Sequence, residues 1–196
     1  MDSEKILNFW FSSSDNLLVN QKKWFMKDEK LDSEIKKSFG SYHKAATDGL
    51  LDHWKAQPRA ALALVIILDQ FSRNLNRNSA QAFACDDKAK TICQSSIDRG
   101  HDKILHPIER WFLYMPLMHS EDKKDQELSL RLYESLATSK NIEVEYQAAL
   151  KGAFKFAKLH ANIVFRFGRY PHRNEVLGRE STQEEVDFLK EPNSSF

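Results

Sequence analysis

Glycine, proline and cysteine are scarce in this chain of 196 residues, and each shortage excludes a class of protein. Six glycines and five prolines provide too few turn residues for a many-stranded β sandwich or barrel. Two cysteines are too few for a disulfide-rich secreted scaffold. Long hydrophobic runs are also missing, since the longest, Ala60 to Leu68, is too short to cross a bilayer. These shortages predict a helical protein that does not span a membrane.

The two cysteines, Cys85 and Cys93, fall within one predicted helix. Along a helix they would lie roughly 12 Å apart, which is too far for a disulfide. Unpaired thiols are typical of a reducing compartment. The charged start of the chain, Met1-Asp-Ser-Glu-Lys5, also lacks the apolar core of a secretion signal. We therefore expect a cytoplasmic protein.

Neither sign of charge dominates, because 29 lysines and arginines oppose 28 aspartates and glutamates. Proteins dedicated to nucleic acids or membrane surfaces are usually strongly basic, so we expect neither partner. The sequence also lacks a glycine-rich phosphate loop, a dinucleotide fingerprint, a nucleophile elbow and the usual zinc motifs. His106 and Glu109 have the spacing of a helical metal site, but such a site would need a second pair. We expect no cofactor and no metal ion.

Apolar residues at helical spacing are abundant. Hydrophobic residues make up 41% of the chain, including 13 phenylalanines and four tryptophans, which suits a packed core. We predict an all-α fold, a single-domain antiparallel array of about seven to eight helices over residues 1–190, with a flexible tail over residues 191–196. The predicted helices cover residues 4–11, 31–46, 59–71, 79–99, 107–116, 128–136, 142–165 and 181–189.

The predicted central helix begins after Pro58 and is apolar on all sides over its first part, as in a helix surrounded by others. Asp69 follows this apolar run, so we expect it to be desolvated near a helix C-terminus, where the dipole disfavours an anion. Arg73 is one expected partner, four residues further along the helix. Alternatively, Asp69 and Gln70 face a cleft and orient an arginine there.

Arginine replaces lysine completely between Lys158 and Lys190. Its planar guanidinium holds carboxylates and phosphates in two-point contacts and stacks on aromatic rings. We expect the preceding helix to end near Gly168, because Pro171 cannot continue it. Some of these arginines would complement the helix dipole, but their number favours an anion site. The arginines are Arg166, Arg169, Arg173 and Arg179, and His172 and Asn174 accompany them.

Several histidines have two interpretations. His160 lies on an otherwise apolar helical face, where a buried structural histidine is the default and a proton carrier is the alternative. His119 and Glu121 follow Pro116, which we expect to bend or end its helix. An imidazole beside a carboxylate transfers protons when the pair is poised near neutral pH, whereas a surface pair is the alternative.

Several motifs, taken in order, resemble a bacterial family known as domain of unknown function 924. They are Leu68-Asp-Gln-Phe-Ser-Arg-Asn-Leu75, Glu109-Arg110, Tyr114-Met-Pro-Leu117, His119-Ser-Glu121, His160, Arg166-Phe-Gly-Arg-Tyr-Pro-His-Arg-Asn174 and Leu177-Gly-Arg179. The resemblance covers nearly the whole chain, with mild departures at Ser72 and Tyr170, where the family usually has proline and phenylalanine. It implies an all-α fold similar to tetratricopeptide-like helical arrays, and it brings no function.

We predict that these polar segments converge on one cleft that binds a small anionic ligand carrying a carboxylate or phosphate, because buried charges need partners. In this hypothesis Asp69 and Glu109 orient nearby arginines, while His119, His160 and Glu121 are the predicted catalytic residues. The predicted ligand-binding residues are Asp69, Gln70, Arg73, Asn74, Glu109, Arg110, Tyr114, Arg166, Arg169, His172, Arg173 and Asn174. The alternative is a protein–peptide interaction module, which is typical of helical arrays. RNA binding is least expected, given the near-neutral charge.

Overall fold

The structure is a computed structural model that describes residues 1–12 and 16–195, and its regular elements there are helical. This confirms the predicted all-α class, while the likeness to tetratricopeptide arrays stays a prediction. None of the helices in the described ranges is both long and apolar enough to cross a membrane. The α-helices are α1 (Ser3–Phe11), α2 (Gln21–Phe25), α3 (Glu29–Thr47), α4 (Pro58–Val65), α5 (Ser72–Leu75), α6 (Asp86–Asp98), α7 (Pro107–Met118), α8 (Lys123–Thr138), α9 (Val144–Phe167) and α10 (Gln183–Phe188).

The chain divides into two compact units. The first unit comprises Met1–Arg77 and Gln81–Pro116, and the second comprises Asn78–Ala80 and Leu117–Phe196. The single domain over residues 1–190 stays a prediction. In the predicted tail, Ser194 is buried and its hydroxyl donates to the Leu189 carbonyl at 3.1 Å, while Phe196 lies outside the described residues.

The core of the first unit is built around α4, which packs against α1 and α6. Residues 61–68 are at most 1% exposed, as the apolar run predicts. The helix changes at Ile66–Phe71, where it widens into a π-helix before α5 begins at Ser72. Such π segments are rare and frequently lie at functional sites. This one carries the buried polar residues Asp69 and Gln70.

The helix that contains Cys93 starts later in the structure than the sequence predicts. The helix predicted over residues 79–99 begins only at Asp86, with Cys85 at its N-cap, so the two cysteines do not share a helix. Both cysteines are free and buried. The start at Asp86 has a local cause, because acidic side chains at Asp86 and Asp87 interact favourably with the helix N-terminus.

The predicted capping box of the last helix is displaced by one residue. The Thr182 hydroxyl accepts from the Glu185 backbone N–H at 3.2 Å, and the Glu185 carboxylate accepts from the Thr182 N–H at 2.8 Å. The sequence pattern fits Ser181 with Glu184 equally well. Contacts with Arg169 select Glu185 instead, since they require that carboxylate to face inward.

The sequence predicted that Pro116 bends or ends its helix. It does not end the helix, since α7 continues to Met118. A proline in the last turn of a helix removes only one backbone hydrogen-bond donor. The extra residues carry the chain directly towards His119, which is buried.

The second unit is centred on α8 packed along α9. The buried face of α8 carries Gln126, Ser129, Tyr133 and Leu136, at helical spacing. At its C-terminus α9 ends on Gly168, with φ of 71°, as predicted from the glycine and the following proline. This left-handed residue turns the chain into the segment that contains the arginines.

The two glycines of α9 provide a matched test of this turn. Gly168→Ala is expected to lower the free energy of unfolding by roughly 1 kcal/mol, because a Cβ is strained at positive φ, although no atom lies within 4 Å of it. Gly152→Ala, in the body of the helix with equally open surroundings, is expected to raise it by about 0.5–1 kcal/mol. Urea denaturation measures both values, and changes of the same sign would contradict the assignment of Gly168 as a cap.

Candidate functional site

Asp69 in the π-helix is fully buried and paired along its own helix. Arg73 lies 3.4 Å from the Asp69 carboxylate and donates to the Asp69 carbonyl at 2.6 Å. Arg73 also holds Asp86 through two hydrogen bonds of 3.1 Å. The Gln70 amide donates to the Asp69 carboxylate and lies 3.6 Å from the Met115 sulfur. The arrangement matches the local ion pair expected from the sequence.

Glu109 is buried in the first turn of α7, where it stabilises the N-terminus of the helix. Its carboxylate accepts from the His106 backbone N–H at 3.0 Å, and the His106 ring accepts from the Ile108 N–H at 3.2 Å. This reciprocal arrangement is a capping box with histidine at the N-cap. Arg59 forms the ion pair with Glu109 and a second one with Glu4. The sequence did not identify Arg59 as the partner.

Arg110 and Tyr114 bind the segment that precedes α7. Arg110 donates to the carbonyls of Leu105 and Lys103 at 2.9 and 3.2 Å. The Tyr114 hydroxyl donates to Asp102 at 2.8 Å. Burial and the Asp102 carboxylate together raise the pKa of Tyr114 well above its usual range, so the hydroxyl stays protonated. These contacts hold the loop before α7 in place.

Asn74 is the remaining predicted residue of the first unit. Its amide donates to Asp32 at 2.8 Å, and Arg77 pairs with the same carboxylate. Each predicted residue of the first unit is therefore bound to a nearby group, and that contact gives the residue a structural role.

The second unit brings together predicted residues that are far apart in the sequence. His119 follows α7, His160 lies on α9, and the 3-10 turn Pro171–Arg173 follows Gly168. The ring centroids of His119 and His160 are 6.0 Å apart, those of His160 and Tyr170 5.8 Å, and those of Tyr170 and His172 5.5 Å. We call His119, His160, Tyr170, His172 and Arg173 the histidine–arginine cluster.

Arg173 supplies a buried guanidinium to this cluster, with 7% of the residue exposed. The guanidinium lies over the Tyr170 ring at 4.7 Å and donates to the His119 carbonyl at 3.0 Å. Stacking on an aromatic face is a favourable way to hold a desolvated cation. A positive charge is therefore fixed among imidazoles in the interior of the second unit.

His160 is a neutral imidazole with a defined tautomer. Its Nδ1 lies 2.8 Å from the Phe156 carbonyl, and because a carbonyl oxygen only accepts, Nδ1 carries the proton. Burial lowers the pKa of His160 to about 3, and the nearby His119, His172 and Arg173 contribute through charge repulsion. At neutral pH the Nε2 atom is therefore the unprotonated nitrogen of this ring.

Glu121 is fixed as a carboxylate by a clamp next to the cluster. Arg179 donates to its two oxygens at 2.6 and 2.9 Å, and the Tyr170 backbone N–H donates at 2.7 Å. Burial by itself would raise the pKa of Glu121, but the hydrogen bonds from Arg179 and Tyr170 outweigh it and lower the pKa. The predicted imidazole–carboxylate pair is thus replaced by an ion pair between Glu121 and Arg179.

Arg169 and Asn174 secure the chain after α9 through Glu185. Arg169 donates to the buried Glu185 carboxylate at 2.6 and 2.8 Å, and the Asn174 amide contacts it at 3.4 Å. The hydrogen bond from Arg169 is the largest cause that lowers the pKa of Glu185 to about 2. Arg166 pairs with Glu184 at the surface, where both side chains are about half exposed or more. These three predicted residues therefore stabilise α10 and the chain segment between α9 and α10.

Gln126 contacts the cluster and was missed by the sequence analysis. Its amide nitrogen lies 2.9 Å from the Tyr170 hydroxyl and donates to the Met118 and Ser120 carbonyls at 2.8 and 2.6 Å. The signal was present, because Gln126 precedes the buried Tyr133 by two helical turns on the same face of α8. A polar residue at a core-facing position indicates a buried hydrogen-bond network.

Of the predicted site residues, the structure groups His119, His160, His172 and Arg173 within the second unit. Within the described residues, no group of three or more histidine, cysteine, aspartate or glutamate side chains is arranged to hold a metal ion. The convergence of all the predicted segments on one cleft stays a prediction.

Comparison with known proteins agrees with this fold. The model of a family described as a bacterial protein of unknown function (DUF924) matches residues 6–193. The solved structure of a protein of unknown function, ATU0120 from Agrobacterium tumefaciens, is similar, with a TM-score of 0.80 and 35% sequence identity over 97% of each chain. No curated protein matches this chain. The fold is therefore shared with another bacterial protein along almost its entire length.

Proposed function

The chain belongs to the bacterial DUF924 family, and we propose that it binds a small anionic ligand, bearing a carboxylate or phosphate, at the histidine–arginine cluster. The observation that carries this proposal is the buried guanidinium of Arg173 beside the neutral imidazole of His160. Taking a guanidinium out of water is unfavourable unless other groups compensate. The Tyr170 ring, the His119 carbonyl and the Glu121 carboxylate contribute to that compensation, and a bound anion that contacts Arg173 would add to it.

Electrostatics supports an anion at this position. Arg173 places a permanent positive charge near His160 and helps to lower the pKa of that histidine, although burial is the largest cause. The carboxylates of Glu121 and Glu185 are held by Arg179 and Arg169, respectively. A bound carboxylate or phosphate would reduce the repulsion within the cluster and would raise the pKa of His160.

The same geometry favours binding over acid–base catalysis by two of the three predicted catalytic residues. A histidine with a pKa of about 3 holds no exchangeable positive charge near neutral pH. Glu121, with its lowered pKa, remains ionised and engaged with Arg179. His119 is the residue that we retain as a candidate proton carrier, should the ligand be a substrate.

A thermal-shift titration tests the proposal with inorganic phosphate, acetate and succinate at constant ionic strength, balanced with chloride. At a ligand concentration of about 100 times Kd, binding stabilises the folded state by roughly 2.7 kcal/mol, which raises Tm by about 5–10 °C. Arg173→Met is expected to abolish this rise, because it removes the charge and keeps an unbranched apolar side chain of similar length.

Arg166→Met is the matched control, since Arg166 belongs to the same segment and forms a surface pair with Glu184. It should retain the full thermal shift. The proposal fails if no anion raises Tm above its value in chloride alone. It also fails if Arg173→Met and Arg166→Met show the same thermal shift. A groove that binds peptides stays the alternative prediction, and it would be favoured if extended peptides bind with equal affinity to wild type and Arg173→Met.

A further inference from the structure

One face of α9 is exposed along almost the whole helix. Exposed residues recur on this face at intervals of three, four or seven, which places them in one line along the helix surface. We call them the outer stripe of α9. They are Val144, Lys151, Lys155, Lys158, Asn162 and Phe165. At the rise of an α-helix this line is about 32 Å long, which is enough for a second helix to lie along it.

Lysines occupy the middle of the outer stripe. Lys155 follows Lys151 by four residues and precedes Lys158 by three, so like charges are neighbours on the helix and weaken it. None of the three forms an ion pair with another residue that the structure describes, although Lys158 lies over the Phe154 ring at 4.7 Å. They also lie well before the last turn of α9, which ends at Phe167, so they do not complement the helix dipole.

No acidic residue accompanies these lysines along the chain. Residues 146–174 include neither aspartate nor glutamate. Arg166 and Arg169, which lie in the same range, are paired with Glu184 and Glu185, respectively. Within the described residues, the outer stripe is therefore the exposed part of this basic region whose charge is left uncompensated.

Apolar side chains lie at both ends of the outer stripe. Val144 is 82% exposed and Phe165 is 38% exposed. Residues at this spacing are the ones that a helix uses to contact another helix. A nucleic acid would instead favour aromatic rings interleaved with the positive charges and a basic balance over the whole domain, whereas this chain is almost neutral. The pattern therefore fits a helical protein partner.

We propose that the outer stripe of α9 binds an amphipathic α-helix of another protein, with acidic residues in the middle of its contact face and apolar residues at its ends. Both helices rise equally per residue, so carboxylates at intervals of four and three face the three lysines in register. The apolar ends of the partner cover Val144 and Phe165. His160 lies on the opposite, buried face of α9, so this inference goes beyond the proposed anion site and does not depend on it.

Synthetic helical peptides of about 21 residues, the length of the outer stripe, test the proposal. The patterned peptide carries three glutamates at intervals of four and three and leucines at both ends of the same face. The scrambled peptide has the same composition, with the glutamates distributed around the helix. Fluorescence anisotropy with the intact chain should give roughly tenfold tighter binding of the patterned peptide, since three exposed ion pairs together contribute about that factor. Added salt should reduce the difference.

Two triple variants with the same change in net charge locate the binding face. Lys151→Gln, Lys155→Gln and Lys158→Gln together should reduce the affinity for the patterned peptide to that for the scrambled one. Glutamine retains helix propensity and removes the like-charge repulsion, so Tm should not fall. The control variant replaces exposed lysines of α3 and should bind the patterned peptide as wild type does. Its substitutions are Lys30→Gln, Lys36→Gln and Lys37→Gln.

Several outcomes would overturn the proposal. If wild type binds neither peptide, or both alike, the spacing of the lysines has no role in recognition. Equal losses in the two triple variants would reveal non-specific attraction. The partner class is wrong if a single-stranded oligonucleotide binds more tightly than the patterned peptide and only the α9 variant weakens it. It is also wrong if sedimentation shows a dimer of wild type that the α9 variant disperses. Arg173→Met should bind the patterned peptide normally, which separates this test from that of the anion site.

Discussion

Arg73→Ala is expected to lower the free energy of unfolding by about 3–5 kcal/mol, because it leaves a buried carboxylate without its cation. Asp69 is fully buried, and Arg73 contacts both its side chain and its carbonyl. The Gln70 amide also donates to this carboxylate, but an amide carries no charge that could neutralise it. Urea denaturation followed by circular dichroism measures the loss.

Two further variants make this prediction specific. Arg77→Ala breaks a more exposed pair with Asp32 and should cost only about 1 kcal/mol. Adding Asp69→Asn to Arg73→Ala removes the stranded charge, so the double variant should be more stable than Arg73→Ala alone. Equal losses for Arg73→Ala and Arg77→Ala would show that the burial of Asp69 does not control the energy of the pair.

The helices were predictable wherever the apolar periodicity agrees with the positions of proline and glycine. The central helix after Pro58 and the end of α9 at Gly168 are examples, since proline and glycine restrict or extend the backbone locally. The π-helix at Ile66–Phe71 was not predictable, because it changes the hydrogen-bond register without changing the apolar pattern. Likewise, the start of α10 at Gln183 depends on the distant partner of Glu185.

The residues of the candidate site were predictable from the sequence, whereas their ion-pair partners were less so. The arginine-only segment and His160 identified the polar residues that the second unit gathers. Sequence spacing ranks partners that are close along a helix, so it found Arg73 for Asp69 but missed Arg59 for Glu109 and Arg179 for Glu121. Those pairs depend on tertiary contacts. The same limit explains why Gln126 emerged only when α8 was seen against Tyr170.

Acidification is expected to destabilise the protein through His160 more than through an exposed histidine. The ordinary pKa of histidine is 6.5, which applies to the unfolded chain, whereas burial lowers the pKa of His160 to about 3 in the folded state. Between these two values the unfolded chain binds a proton that the folded chain does not. Stability is therefore fully present above pH 6.5 and falls as the pH decreases towards 3, by on the order of 4 kcal/mol in total.

His160→Asn isolates this contribution, because asparagine does not titrate and its amide nitrogen can replace Nδ1 as the donor to the Phe156 carbonyl. Between pH 6.5 and 3, the free energy of unfolding should fall less steeply in the variant than in wild type, by about 1.4 kcal/mol per pH unit for the one proton removed. His53→Asn makes the same exchange of side chains at an exposed position and is the matched control. If the slopes of wild type and His160→Asn coincide, His160 titrates alike in both states, and its assignment as a buried neutral imidazole in the folded protein is wrong.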